Sequence, residues 1–303
     1  MENKKTTEFW RGSTMNVLVL LGGDSTEREV SLRSGAAVRD ALKKTSHSVA
    51  TYDPKDGFAG LRAALRDVDV VLPILHGDNG EDGVMQEQLE HLGVPYLGAT
   101  SQVSKIAIDK PKTHAVLEEV GIAMPRFEVV DLDGYQKSNL ARKPHVLKTT
   151  HGGSSVDILI ARNPTDTTLK QAQKLFGKHD TMLLEELIEG VEITVPILGD
   201  KALPIIAIIP PENEEFDYDN KYNGKTQEIC PVPEQQILSK VQQRAQQLAE
   251  KVHKALGVRH LSRTDMILTP EGQLYVLELN TIPGLTAQSL YPKSAAVLGY
   301  SMQ

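Results

Sequence analysis

Apolar residues recur along this chain in two rhythms. Short runs of consecutive aliphatic residues, as in NVLVLLGG (16–23), SVATYDP (48–54), VDVVLPILHG (68–77) and GVPYLGAT (93–100), predict four buried strands. SLRSGAAVRDALKKT (31–45) and LRAALRD (61–67) carry apolar stripes at helical spacing and fall between these runs. Strands alternating with helices predict a parallel sheet with its ligand crevice at the strands' carboxyl ends. Further on, DKPKTHAVLEEVG (109–121) predicts a helix, and RFEVVD (126–131), PHVLKT (144–149) and MLLEELIEGVEITVPILG (182–199) predict strands. The clearest helix is EQQILSKVQQRAQQLAEKVHKALG (234–257). There Ile237, Leu238, Val241, Ala245, Leu248 and Val252 repeat every three to four residues and Gly257 ends the run. Residues 210–233 are long, polar and weakly periodic, as functional lids or disordered loops are.

The pattern near the C-terminus raises a chemical question. SRTDMILTPEGQLYVLELNTIPG (262–284) reads as a hairpin closed by a two-residue turn at Glu271-Gly272. A tight turn there sets Asp265 opposite Glu278 and Arg263 opposite Asn280. Side chains alternate between faces, so Thr264, Met266, Leu268, Tyr275, Leu277 and Leu279 form an apolar face and Arg263, Asp265, Glu278 and Asn280 a polar one. Like charges directly opposite destabilise a sheet. Either the face is solvated and Arg263 neutralises the acids, or a divalent cation offsets the repulsion; an all-oxygen ligand set favours Mg²⁺.

Composition narrows the class. The chain has 303 residues, is 40% hydrophobic and 24% charged, and carries a formal net charge of −7, which is ordinary for a globular protein and argues against a nucleic-acid partner. The single cysteine, Cys230, excludes an internal disulfide and fits a reducing compartment. No apolar run approaches the roughly 20 residues that span a bilayer. MENKKTTEFWRGST (1–14) lacks the apolar segment of a signal peptide and reads as an extension or tag. Together these features point to a cytoplasmic α/β enzyme or binding protein.

Four further stretches could carry chemistry, each with a plainer alternative. LGGDSTEREVS (21–31) is not GxGxxG; Glu27 either completes a capping box with Asp24 or faces the crevice and binds a cationic group. His76, in ILHGDNGEDG (74–83), is either structural or a crevice residue. VLKTTHGGSSV (146–156) joins Lys148 to a Gly-Ser stretch that could be a turn or an anion cradle. In LLEELIEGVEITV (183–195), Glu185 and Glu192 could be surface acids or acceptors for ribose hydroxyls. Together the parts describe a phosphate-bearing nucleotide between two sheets, with a small cationic substrate beside it.

The motifs LLGGDSTEREVSL, LHGDNGEDG, DK (109–110), GGSSV, LIEGVEITVPILG, FDYDNKY, SRTDMIL and LELNTIPGLTAQSL, in this order, resemble those of the D-alanine–D-alanine ligase family of ATP-grasp enzymes over residues 15–303. The resemblance implies an ATP-grasp fold, α/β with α+β central and C-terminal parts. It implies a Rossmann-like substrate domain at 15–98, a central subdomain at 99–186, and a C-terminal subdomain at 187–303 with a lid at 210–230. It implies that Lys110, Lys148 and Ser155 bind ATP phosphates, that Lys221 reaches the γ-phosphate, that Glu185 and the backbone of Glu186, Leu187 and Ile188 meet adenine, and that Glu192 binds ribose. Asp265, Glu278 and Asn280 would hold two Mg²⁺ ions, with Mn²⁺ able to substitute. Glu27 would anchor the ammonium of the first D-alanine with His76 nearby, and Ser154 and Tyr222 would join Glu27 in closing the lid. Arg263 and the Gly284 N–H would stabilise an oxyanion, and Ser289 and Leu290 would hold the second D-alanine's carboxylate. The family also implies a homodimer and a role in peptidoglycan precursor synthesis.

The chain departs from the family pattern at Thr149, where many relatives have Pro, at Asp157, where the GSSVG motif has Gly, and at Glu186, where Lys is usual; it also stops at Gln303, before a last helix. Two alternatives follow. One is an ATP-grasp ligase for another carboxylate and amine, and the other is a nucleotide-binding protein that no longer catalyses. The Lys221-Tyr222 pair with Leu290 resembles the dipeptide-forming type.

Overall fold

A computed structural model describes residues 14–152, 157–211 and 226–303. The N-terminal alternation forms a parallel sheet of β1 (Asn16–Leu20), β2 (Ser48–Tyr52) and β3 (Val70–Pro73), in the order β2-β1-β3. β1 is central, and Val17 to Leu20 are buried on both faces, which is why the run is continuously apolar. The fourth strand expected at 93–100 reduces to a single bridge between Val71 and Tyr96. Pro95 has no N–H for a ladder, so only its carbonyl is used, by Val71 N–H. Helix α1 (Arg28–Leu42) starts three residues before its predicted onset and buries Ser31, Ser34, Gly35, Val38 and Ala41. Helices α2 (Phe58–Ala64) and α3 (Val84–His91) complete this part.

Two capped helices lead onward. Thr100 caps α4 (Ser101–Ala107), its hydroxyl accepting from Val103 N–H. Asp109 caps α5 (Lys110–Glu119) by accepting from Lys112 N–H. This cap puts Lys110 at the first residue of α5 and His114 one turn later on the same side.

β4 (Phe127–Val130), β5 (His145–Lys148), β6 (Leu159–Ala161) and β7 (Met182–Glu186) form an antiparallel sheet in the order β4-β7-β5-β6, backed by α6 (Leu132–Lys137) and α7 (Asp166–Phe176). The third sheet contains β8 (Val191–Leu198), β9 (Lys201–Ala202), β10 (Ile206–Ile209), β11 (Gln227–Ile229), β12 (Leu261–Leu268) and β13 (Leu274–Asn280). Its path is β11-β10-β8-β12-β13, with β9 on β8. β11 corrects the expected lid: residues 227–229 pair with β10, while residues 212–225 lie outside the described ones. Helix α8 (Ser239–Ala255) starts later than its periodicity predicts, because Gln236 and Ile237 both donate to the Pro233 carbonyl in a turn. Ile237 is still buried, but Leu238 is exposed. α8 covers the third sheet with Ala245, Ala249 and Val252, which join Ile193, Val195, Met266 and Val276 in the largest core cluster. Helix α9 (Leu290–Val297) follows the hairpin.

The hairpin differs from the expectation in two ways that cancel. Its turn has three residues, with Thr269 N–H donating to Gln273 O and Gly272 at φ +81°. Glycine takes that left-handed position without a Cβ penalty. A bulge between Asp265 and Met266 then restores the frame, so Asp265 still faces Glu278 and Arg263 faces Asn280. Between the two irregularities the faces swap. Leu274 and Val276, not Tyr275 and Leu277, enter the core, and Leu277 lines the main cavity beside Glu278.

Candidate active site

A cavity of about 670 Å³ lies between the second and third sheets. Glu27, Lys110, Lys148, Glu185, Glu186, Leu187, Ile188, Glu192, Asp265 and Glu278 all line it. Arg263, Asn280, Gly284, Ser289 and Leu290 do not line it, and His76 lines a neighbouring cavity of about 430 Å³ with Gly23 and Asp78. Ser154, Ser155, Lys221 and Tyr222 lie outside the described residues.

At the hairpin, Asp265 is buried and Arg263, Glu278 and Asn280 are half-buried, so the polar face is not an open solvated surface. Arg263 donates from Nε to Asp265 Oδ1 at 2.9 Å and from NH2 to Oδ2 at 2.7 Å, and the Thr194 hydroxyl also donates to Oδ1. Thr194 enters through the register of β8 with β12, which pairs it with Asp265. Lys110 Nζ stands 3.8 Å from Glu278 and also donates to the Gly152 carbonyl. Asn280 lines a small neighbouring pocket with Glu81 and Lys110.

At the opposite wall, Glu185 is buried on β7. Lys148 Nζ sits 2.7 Å from its Oε2 and His114 Nε2 3.4 Å from Oε1. Burial alone would raise the Glu185 pKa, but Lys148 and His114 outweigh it and hold the carboxyl below its ordinary value. The following backbone is partly committed: Glu186 N–H donates to Arg126 O and Leu187 N–H to Pro144 O. Both of these N–H groups are therefore taken within the protein. The Glu186 side chain pairs with Arg126 at 2.6 Å, which sets a cation at this rim just before β4.

At the crevice of the first sheet, Glu27 is the N-cap residue of α1 with no side-chain cap bond, so the capping-box alternative does not hold. Its carboxylate instead packs on Gly77, where a Cβ would stand 2.9 Å from Glu27 Oε2 and where φ is +72°. Burial, with Arg263 nearby, pushes the His76 pKa down to about 4, so its imidazole is neutral near pH 7. Glu81 is a site residue that the sequence pattern did not single out. It accepts from Gly77 N–H at 2.7 Å, and burial, reinforced by Glu27, pushes its pKa up to about 8. Its signal was present in the HGDNGEDG motif, four residues beyond Gly77. His114 was also missed, although it falls one helical turn after Lys110. Thr194 and Arg126 had no local signal, since each reaches its partner across a strand pairing.

Downstream of the hairpin, Ser289 is the N-cap residue of α9 and Leu290 its first residue. The Ser289 hydroxyl is engaged with Thr286, at 2.8 Å from its Oγ1 and 3.1 Å from its N–H, and lies close against Gly284. A helix start of this kind points N–H groups at an anion.

The donor chemistry of Asp265, Glu278 and Asn280 suits a hard cation such as Mg²⁺. Among the described residues no group of three or more His, Cys, Asp or Glu could hold a metal by itself, so an ion there would need phosphate oxygens and water to fill its shell.

A nucleotide-sized cavity between two antiparallel sheets, walled by buried lysines and an acidic hairpin and fed by a parallel-sheet domain, defines the ATP-grasp class. Family models for the D-ala D-ala ligase C-terminus and N-terminus match residues 116–303 and 53–99. A D-alanine–D-alanine ligase from Maridesulfovibrio salexigens is 38% identical over 95% of this chain and 94% of the relative. One from Syntrophobacter fumaroxidans is 40% identical, with 95% and 94% covered. The crystal structure of the Bacillus anthracis D-alanine–D-alanine ligase complexed with ATP superposes with a TM-score of 0.78 at 30% identity, covering 95% of this chain and 94% of that one. The VanG D-Ala:D-Ser ligase from Enterococcus faecalis gives 0.80 at 28% identity, with 96% of each covered. The chain belongs to the D-alanine–D-alanine ligase family.

Proposed function

We propose that the chain joins two D-alanines into D-alanyl-D-alanine at the expense of ATP, for peptidoglycan precursor synthesis. The observation that carries this reading is the pairing, in one cavity, of an acidic hairpin with buried lysines on the facing walls. Lys110 and Lys148 meet the phosphates, Glu192 the ribose, and the 186–188 backbone the adenine edge. Asp265, Glu278 and Asn280 would hold Mg²⁺, two ions for which Mn²⁺ could substitute, and bound metal would neutralise charge on the transferred phosphoryl group. Glu27 anchors the ammonium of the first D-alanine, beside a His76 that stays neutral and adds no competing charge. The carboxylate of that D-alanine attacks the γ-phosphorus, ADP leaves, and an acyl phosphate forms. The amine of the second D-alanine then attacks the acyl carbon, loses a proton, and displaces inorganic phosphate.

Arg263, held by Asp265, and the Gly284 N–H stabilise the oxyanion of that second step. The α9 start at Ser289 and Leu290 receives the second carboxylate. By family resemblance, Lys221 reaches the γ-phosphate, Ser155 meets phosphate, and Ser154 and Tyr222 close the lid over Glu27. The same resemblance supports a cytoplasmic homodimer as the working form.

The test is phosphate release with ATP, Mg²⁺ and D-alanine, each omitted in turn, with the product identified by mass. Phosphate release that needs all three, with D-alanyl-D-alanine formed, is the expected result. D-Serine and D-lactate belong in the same panel, because the VanG neighbour is a D-Ala:D-Ser ligase. Turnover only with another acceptor would overturn the dipeptide reading, and nucleotide binding without turnover would favour a non-catalytic binder.

A further inference from the structure

Glu27 ends the link that joins β1 to α1. Two charged side chains that the proposed reaction does not use close around the start of that link. Asp53, directly after β2, accepts from Gly23 N–H at 2.9 Å and from Arg28 NH2 at 2.6 Å. Arg28, the first residue of α1, donates from NH1 to the Gly23 carbonyl at 2.7 Å. Both backbone groups of Gly23 are thus closed into a ring with the two side chains. The approach is so tight that a Cβ on Gly22 would stand 2.5 Å from Asp53 Oδ2 and 2.8 Å from Arg28 NH1. Lys55 N–H also donates to Asp53 Oδ1 at 3.0 Å, which fixes the carboxylate to the turn after β2. Burial alone would raise the Asp53 pKa, but Arg28 and the Gly23 and Lys55 N–H groups outweigh it and hold the carboxyl below its ordinary value. The Arg28 and Asp53 side chains are 30% and 17% exposed, so the pair escapes part of the solvent screening that weakens surface pairs. Further along the link, the Ser25 hydroxyl donates to the His76 carbonyl at 2.5 Å and accepts from Glu27 N–H at 3.2 Å. Glu27 therefore lies between an anchor to the end of β2 and an anchor to the segment after β3.

We propose that Arg28 and Asp53 are positioning residues for the first D-alanine: their ring around Gly23 holds the β1–α1 link in one shape and sets the Glu27 carboxylate where it meets the substrate ammonium. Glu27 directly precedes Arg28, so a guanidinium fixed on Asp53 also fixes the peptide unit that carries Glu27. Neither Arg28 nor Asp53 lines the main cavity, and each acts through the residue it holds. Fixing a binding group before the ligand arrives lowers the ordering cost of binding. This inference rests on the ligase reading of the site.

The test uses the full chain. Initial rates are fitted against D-alanine with a separate constant for each of its two sites, and the KM for ATP, kcat and Tm are measured alongside. Asp53→Asn and Arg28→Met should each raise the KM for the first D-alanine about tenfold, while the KM for the second, the KM for ATP and kcat stay within about twofold of wild type. The double variant should be no worse than the worse single one, because both changes open the same ring. Arg28→Lys keeps a cation on Asp53 but loses the forked donor, so it should fall between wild type and Arg28→Met. The same lysine variant carries the test should the larger changes unfold the chain, and an unchanged first-site KM there would overturn the proposal. Constants for all substrates rising together, or kcat falling in step with Tm, would show a general structural role and overturn it too. Losses that add fully in the double variant would mean that the two residues do not act as one ring. Wild-type protein that forms no D-alanyl-D-alanine would overturn the ligase reading and this inference with it.

Discussion

The two walls of the main cavity both bury carboxylates next to cations, but they balance charge differently. On the β7 wall, Glu185 is matched by Lys148 at 2.7 Å with His114 behind it, all three nearly inaccessible. On the hairpin wall, among the described residues, Asp265 and Glu278 face each other across the strands. Arg263 is bonded to the first, and Lys110 stands 3.8 Å from the second. The first wall is a close-contact ion pair. The second sets two acids against two cations but holds Glu278 only loosely, at 3.8 Å from Lys110, which leaves that carboxylate the better placed of the two to meet a divalent cation. A carboxylate's environment, and not its mere presence in a strand, separates an anchoring acid from a metal-ready one.

The largest effect that could break this comparison is on turnover. Glu278→Gln should cut Mg²⁺-dependent activity by about a hundredfold or more with the fold intact, read by steady-state kinetics and circular dichroism. Because it also relieves like-charge repulsion, metal-free stability should be unchanged or slightly higher. Asp265→Asn should be equally inactive but less stable, since Arg263 would lose its charged partner. Equal stability of the two variants would contradict that asymmetry. Next in size is Glu185→Gln, which strands a buried Lys148 and should cost about 3 kcal/mol in denaturant unfolding. The folded pKa of Glu185 lies below its unfolded value. Its contribution is therefore present above the ordinary carboxylate range and lost as pH falls through the folded value.

Glu81 runs the other way. Its folded pKa, about 8, lies above the unfolded value, so the folded state holds the extra proton and stability falls as pH rises toward 8. Glu81→Gln should therefore stabilise the protein more at pH 9 than at pH 5. The gain is at most roughly 1.4 kcal/mol for each tenfold difference in proton affinity between the folded and unfolded chain. Equal gains at both pH values, in paired urea titrations, would remove Glu81 from the buried-proton description. The smallest effect belongs to the cavity rim. Arg126→Ala breaks an exposed pair with Glu186 and should change stability by less than about 1 kcal/mol. A larger loss would show that the rim pair resembles the buried walls more than its exposure indicates.

Much of this was legible locally. Apolar runs located β1, β5, β7 and β8, the stretch 109–121 read as the helix that became α5, and alternation exposed the polar face of the hairpin. Where prediction failed, a long-range contact or a proline had decided the outcome. The fourth strand at 93–100 was lost to a proline that removes a ladder donor. The first turn of α8 was lost to the Pro233 turn. The end of the expected lid became β11 because β10 offers it an edge.

By itself the sequence determined which side chains exist to do chemistry and in what order they come: the acids of the hairpin, the two lysines, and the Gly-Ser stretch ending in Asp157. Those are properties of residue type and spacing along a chain. Only the tertiary structure decided that a three-residue turn and a bulge would cancel and keep Asp265 opposite Glu278. Tertiary structure also decided that Thr194 would hold Asp265, that Arg126 would answer Glu186, and that Glu81 would keep a proton while Glu185 would not. Each of these depends on strand register or burial between segments distant in sequence, and neither is encoded in local periodicity.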